Sequence, residues 1–290
     1  LGSCLHIYRA RILSIELKKI SLIDLLLWTV RRNEKDVVNM YDSLSGIMRL
    51  STGGDMLNFG LWNENDAPLS AQKNMCVTFA RAAKLASGQR ILDVGSGFTT
   101  PASIWQEQYG PLEVACVDIN YDHLRNANNT NTRVNATARA LPFCDCSVDR
   151  VLALESAQHF KPIDSFISES HRVLKKDGIL AMAIPVINKS TSIADLGMLA
   201  VTWSSEHYEA DFIESAIKNQ GFDIILSEKV GSQVYEPLAN YYEKNRNHLK
   251  SKISQHYPFY VERILFNSLK KMNDVSRKKI IDYMLVSCKK

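Results

Sequence analysis

The run Ile91-Leu92-Asp93-Val94-Gly95-Ser96-Gly97-Phe98-Thr99 constrains this chain more than any other stretch. A short apolar strand carries an acid near its end and breaks at once into a turn with two alternating glycines. With no Cβ, Gly95 and Gly97 let the backbone turn sharply and let a ligand approach closely. A strand, a glycine loop and a helix in that order form the corner at which α/β sheets hold nucleotide-like cofactors. Many nucleotide-binding folds share the corner, so it points to an architecture and leaves the cofactor open.

From Arg90 onward, strand and helix signals alternate. Short β-rich runs fall at Ile91–Val94, Glu113–Val117, Arg150–Leu154, Ile179–Ile184 and Ile224–Ser227. Helical lengths and patterns separate them, at Pro101–Gln108, Tyr121–Asn128, Ile163–Leu174 and Glu206–Gln220. That alternation predicts βαβ units and a parallel sheet covered by helices on both faces. A last strand, Ile280–Cys288, ends the chain with no helix after it, which parallel winding does not require. Two mainly helical segments lie outside the repeat: residues 1–89, broken by the turn-rich Ser51-Thr52-Gly53-Gly54-Asp55, and residues 236–275. Additions to an open α/β sheet tend to cover the cleft at the carboxyl ends of its strands. The expected organisation is therefore a helical lid (1–89), a cofactor-binding core (90–235), an inserted substrate cap (236–275) and a closing strand (276–290).

Composition excludes several function classes. The chain of 290 residues is 46% apolar and 23% charged, ordinary for a soluble globular protein. Its net charge of +4 is small and evenly spread, which argues against nucleic acid as a partner, because phosphate contacts need clustered Lys or Arg. Lys270-Lys271 and Arg277 to Lys279 read as solvated helix faces. The six cysteines follow no framework, and Cys144-Asp145-Cys146 lacks the second ligand pair that a zinc site needs, so no metal is expected. Reduced thiols point to a cytoplasmic setting. The apolar stretch Ile20–Val30 is about half the ~20 residues of a membrane span. It is expected to pack on its own domain rather than lie on a membrane surface, and it lacks the small-residue cleavage site of a secretory signal.

Later motifs narrow the cofactor. Asp118 closes the second strand, where a carboxylate can accept hydrogen bonds from both ribose hydroxyls; dinucleotide enzymes use an acid in the same place. Ala140-Leu141-Pro142-Phe143, followed by Ser147-Val148-Asp149-Arg150-Val151, looks like an "LPF … D-x-V" stretch leading into the fourth strand. Glu155 to Phe160 (Glu-Ser-Ala-Gln-His-Phe) is similar to the end of that strand. His171 to Gly178 matches an "RVLKPGG" helix end and turn, and Tyr283 to Lys289 a closing antiparallel strand. With the glycine loop and Asp118, these motifs in this order resemble the class I S-adenosylmethionine-dependent methyltransferases over nearly all of residues 37–290. Tyr41-Asp42 and Asn58-Phe59-Gly60-Leu61-Trp62 look like the "YD … H-x-G-Y-W" opening of members that act on sterols, terpenoids and polyketide-type products.

The resemblance implies a Rossmann-like, doubly wound, mostly parallel seven-stranded sheet with an antiparallel last strand. It implies S-adenosyl-L-methionine as cofactor, held by Tyr41, Trp62, Asp93, Gly95, Ser96, Gly97, Asp118, Ile119, Asn120, Thr137, Ala138, Leu141 and Glu155. For Tyr41 and Trp62, plain aromatic packing stays open beside a cofactor role; Glu155 is alternatively an anchor for its loop. Four positions depart from the family pattern. Thr99 stands where a third Gly is common, Thr137 where an acid receives the adenine amine, Asn58 where His is usual, and Asp177 at the first Gly of a turn. Asp tolerates that last exchange because it enters the left-handed region more easily than most residues.

Methyl transfer from a sulfonium is an in-line displacement, and orientation alone can remove ~7–11 kcal/mol of barrier. A base is needed where the acceptor is a hydroxyl. His159 is the candidate, with an ordinary imidazole range suited to the role, against the plainer reading of a polar residue opening a helix. His207 and Tyr208 are further candidates to face the pocket, and His123 is expected on a solvated helix. The reading is O-methylation of a small, largely apolar acceptor. C-methylation of an isoprenoid or lipid-like acceptor and a catalytically silent cofactor-binding protein stand as alternatives. A nicotinamide oxidoreductase is disfavoured, because it expects Gly at Thr100 and does not explain the later motifs. Oligomeric state stays open.

Overall fold

Strand β1 (Arg90–Val94) pairs in parallel with β2 (Glu113–Asp118) on one side and β4 (Val148–Leu154) on the other. The computed structural model describes residues 33–188, 193–197, 199 and 206–290; the expectation for Ile20–Val30 lies outside them. Around this centre the seven strands run in the order β3-β2-β1-β4-β5-β7-β6, with β3 at Thr132–Asn135, β5 at Leu174–Ile187, β6 at Asp223–Lys229 and β7 at Ile281–Lys289. Strand β7 is antiparallel to both neighbours, as the closing-strand motif predicts. The chain winds outward from β1 through β2 to β3 and then returns to β4. Its direction of winding therefore switches between β1 and β4, and α/β sheets bind ligands at such a switch.

The central strands are buried on both faces, which explains their near-continuous apolar runs. Alternate residues serve opposite layers. Ile91, Ala181 and Ala183 face a core built with helices α2 (Pro68–Ala82) and α3 (Thr100–Tyr109), where Phe79 and Trp105 are fully buried. Leu92, Leu180 and Met182 face the layer of α5 (Ile163–Val173) and α6 (Ala210–Asn219). Burial of each such large side chain contributes about 1.5–3 kcal/mol.

Two expected bounds moved for local reasons. Strand β3 escaped the sequence pattern because it is a four-residue edge strand, half-exposed and without an apolar run. Helix α4 covers Tyr121–Arg125, short of Asn128, because the next residues are rich in Asn, whose side chain competes for backbone groups.

Helix α1 (Glu34–Thr52) is closed at its start by a capping box between Asn33 and Asp36 and at its end by Gly53 in the left-handed region. Its outer face, through Met40 and Ile47, forms a third apolar cluster with Tyr242, Leu249, Ile253, Tyr257 and Val261. Those partners belong to α7 (Gly231–Lys244), α8 (Arg246–Ser254), the turn after it, which holds Tyr257, and α9 (Phe259–Arg277); α7 begins at Gly231, ahead of the expected residue 236. Glu262, 1% exposed, pairs with Arg246 at 2.9 Å, and the guanidinium lies 3.5 Å over the Phe266 ring. That pair fastens α8 to α9 behind α1. Among the described residues no helix is long and apolar enough to cross a membrane.

Candidate functional site

A cleft opens at the carboxyl ends of β1, β2 and β4, at the switch in winding. The glycine loop forms its floor. Gly95 (φ 75°) donates to Val117 O at 2.7 Å, and a Cβ there would lie 2.3 Å from Ser156 Cβ, so no other residue fits. Gly97 (φ 54°) donates its N–H to Asp118 Oδ2 at 2.7 Å. The other carboxylate oxygen of Asp118 accepts from Asn120 N at 2.7 Å. With a further backbone bond from Ile119, three N–H groups fix the carboxylate in place and leave it acceptor capacity toward a ligand. Asp93 and Ser96 also line the cleft, and Asp93 Oδ2 is buried there without a hydrogen-bond partner among the described residues.

Thr99 explains its own departure from Gly. It holds the left-handed conformation (φ 60°) and is fully buried, with its hydroxyl accepting from Asn129 Nδ2 at 2.6 Å. A side-chain anchor replaces glycine's conformational freedom.

Helix α1 roofs the cleft with Glu34, Val37, Val38 and Tyr41, one stripe at helical spacing. Asp42 on the same helix accepts from Asn120 Nδ2 at 2.8 Å, tying roof to floor at the end of β2. Tyr41 Oη lies 2.9 Å from His159 Nε2, and the two rings meet edge-on. Burial first, then the Glu155 and Asp118 carboxylates, pushes the Tyr41 phenol well up. The phenol stays protonated, so it can donate to Nε2 in the tautomer that leaves that nitrogen without a proton.

Glu155 follows β4 in the left-handed region (φ 52°). Both its oxygens accept from Phe59 N, at 2.8 and 3.1 Å, and Oε1 also accepts from Tyr283 Oη at 2.8 Å. It also lines the cleft, so it anchors the Asn58-to-Trp62 loop while facing the ligand space. Burial pushes its carboxyl up to about 8 against those donors. Asp93 is likewise raised to about 8, by burial and by the neighbouring Asp118.

Of the residues named from sequence, Tyr41, Asp93, Gly95, Ser96, Gly97, Asp118, Ile119, Asn120, Ala138, Glu155 and His159 line this one cleft. Thr137 lines its continuation past Val38 and Ile119. Trp62 and Leu141 are not among the lining residues. The Trp62 indole donates to Phe59 O at 3.0 Å and packs on Tyr241, and Leu141 is a buried core residue. Asn58, in place of His, accepts from Gly60 N at 3.1 Å and makes the turn of its loop while lining the cleft. Tyr208 donates to Phe160 O at 2.7 Å, and neither it nor His207 lines the cleft.

His123 corrects an expectation. Instead of lying on a solvated face it is buried, lines the cleft and packs on the Phe98 ring at 4.3 Å. Burial pushes its imidazole down to about 4, so it is neutral. Also missed from sequence were Glu34, Val37 and Val38; their spacing from Tyr41 was the signal that marks them. No residue of the inserted helices lines the cleft among the described residues; they back α1 instead.

Comparison with known proteins agrees with this geometry. Residues 92–182 match the family described as "Methyltransferase domain". The chain is 31% identical over 165 residues to erythromycin 3''-O-methyltransferase of Saccharopolyspora erythraea, covering 53% of this chain and 54% of that protein. It is 29% identical over 152 residues to 27-O-demethylrifamycin SV methyltransferase of Amycolatopsis mediterranei, covering 49% of this chain and 55% of that protein. The matched region thus spans about half the length of these curated relatives. Among solved structures, the cyclopropane synthase MmaA2 of Mycobacterium tuberculosis superposes with a TM-score of 0.76 at 16% identity, covering 90% of this chain and 99% of that one. At that identity the likeness speaks for the fold alone.

Proposed function

We propose that the chain is a class I S-adenosylmethionine-dependent methyltransferase, as its matched methyltransferase domain and its likeness to erythromycin 3''-O-methyltransferase support, and that it O-methylates a small, largely apolar acceptor with His159 as base. The observation that carries this reading is the Tyr41–His159 pair on the wall of the cofactor cleft, 2.9 Å apart. The cleft residues fit the cofactor. Asp118 is held by backbone N–H groups with acceptor capacity left toward the ribose hydroxyls. The unpartnered Oδ2 of buried Asp93 suits a cationic donor such as the α-ammonium of the methionine end. When bound, S-adenosylmethionine supplies a methyl group already activated on a sulfonium.

The protein's own work is alignment and one proton. Gly95 and Gly97 clear the floor, Asp118 fixes the ribose, and α1 closes above. The acceptor's hydroxyl takes the place of the Tyr41 hydroxyl at the single lone pair of His159 Nε2, which receives its proton as the oxygen attacks. Until then Tyr41 holds the imidazole in position, and its raised phenol range keeps it from competing as the base. Leu57, Leu154 and Phe160 add apolar wall to the cleft that His159 lines, which supports an apolar acceptor.

The test is turnover with S-adenosylmethionine against a panel of hydroxylated polyketide-type products, phenols, fatty acids and isoprenoid alkenes, read by S-adenosylhomocysteine release and product mass. A methyl ether is expected. A methyl group on carbon favours the C-methylating alternative, and binding without turnover on the whole panel favours the silent one.

A further inference from the structure

Resting on the cofactor reading above, we propose that Glu34 of helix α1 is the adenine-recognition residue, its carboxylate accepting the exocyclic 6-amino group from the roof of the cleft. The cleft has a direction. His159 and Glu155 mark the reacting end, Asp118 the ribose, and beyond Asp118 the space continues between α1 and the end of β3. That far end is lined by Glu34, Val38, Ile119, Asn135, Ala136 and Thr137, with Lys35 at its rim. Val38 from above and Ile119 from below offer apolar faces to a flat base. Its polar edge needs an acceptor for the amine, and the one carboxylate lining this end, among the described residues, is Glu34.

Glu34 is held for that task. The Thr137 hydroxyl donates to its Oε1, and Arg139 forks onto it, Nε to Oε1 and Nη2 to Oε2, each at 3.1 Å. Thr137 also accepts from Arg139 N at 3.3 Å, which turns its hydroxyl hydrogen toward Glu34. The three side chains therefore form a clamp between α1 and the loop after β3. Oε1 takes two of these bonds and Oε2 one, so Oε2 retains the acceptor capacity for the amine. Asn135 Nδ2 donates to the Asp118 and Ile119 carbonyls at 2.9 and 3.0 Å, which fixes that side-chain amide and leaves Glu34 as the charged acceptor at this end. The charge missing at Thr137 is thus supplied from a helix about a hundred residues earlier in the chain, and recognition of the base is coupled to docking of the roof.

The experiment compares S-adenosylhomocysteine with S-inosylhomocysteine, which carries a 6-oxo group in place of the amine, by titration calorimetry on the wild-type chain, Glu34→Gln and Glu34→Ala. The wild type is expected to favour the adenosyl ligand by at least about tenfold, the worth of a hydrogen bond to a charged group. Glu34→Gln should bring the ratio near one or reverse it, because a carboxamide can donate to a 6-oxo group. Glu34→Ala should lose adenosyl affinity while keeping inosyl affinity, and that retained binding shows the variant is folded. The wild-type ratio surviving in both variants would overturn the assignment. Binding of neither ligand by the wild type overturns the cofactor reading itself, and this proposal with it.

Discussion

Tyr41 Oη stands 2.9 Å from Nε2 of His159, joining the roof helix to the turn after β4 across 118 positions of sequence. The base candidate is therefore oriented by the lid, and its geometry is complete only when α1 is docked. Removing the phenol oxygen should cost orientation, and removing the imidazole should cost the proton acceptor. Tyr41→Phe is expected to lower kcat about tenfold with little change in cofactor affinity. His159→Gln is expected to lower it about 10²–10⁴-fold. Single-turnover rates on an identified acceptor check both; a wild-type rate in His159→Gln would remove it as base.

Asp93 and Glu155 set a pH dependence of stability. Both carboxyls are raised by burial to about 8 in the folded protein, from 3.8 and 4.5. A raised acid binds its proton more tightly when folded. Its contribution is thus present below about pH 4 and lost as pH climbs through 8. The ligand-free protein should lose Tm steadily between pH 5 and pH 8, and Glu155→Gln should flatten that slope. A cationic ligand end beside Asp93 favours the ionised form, so cofactor should raise Tm more at pH 8 than at pH 6.

Asp118 gives the sharpest binding prediction. Two charge-assisted hydrogen bonds are worth about 1.5–3 kcal/mol each, so Asp118→Ala should weaken S-adenosylhomocysteine by at least about a hundredfold. Unchanged affinity in calorimetry would remove the ribose assignment.

Arg246→Ala should leave Glu262, 1% exposed, as an unpaired buried carboxylate. Breaking a buried pair from one side costs about 3–5 kcal/mol. Urea unfolding should report that loss, and Arg246→Met combined with Glu262→Met should recover most of it.

Trp62 is placed in packing rather than in the cleft, with its indole on Phe59 O and its ring on Tyr241. Trp62→Phe is expected to destabilise by about 1–2 kcal/mol through the lost hydrogen bond and volume. Cofactor affinity should stay within about twofold, as read by calorimetry.

How much of this was legible beforehand follows from where the signals lie. The glycine loop and Asp118 are local motifs whose geometry is set within a few residues, and they appear in the cleft as read. Strand β3 was invisible because Thr132-Arg133-Val134-Asn135 has no apolar period. The spacing from Tyr41 marks Glu34 as a roof residue, but its clamp was invisible: its partners Thr137 and Arg139 are distant in sequence, and only folding makes the three a cluster. Trp62 sits in a matching motif yet turns to Tyr241, because α7 offers it an aromatic partner that the motif does not encode. His123 looked solvated on a short polar helix, but Phe98 and Tyr41 close over it.

The central claim is that this cleft holds S-adenosylmethionine, and titration calorimetry of the wild-type chain with S-adenosylmethionine, S-adenosylhomocysteine and NAD tests it most directly. The account predicts micromolar binding of both sulfur ligands and no heat with NAD. Saturable binding of NAD with none of either sulfur ligand would contradict it.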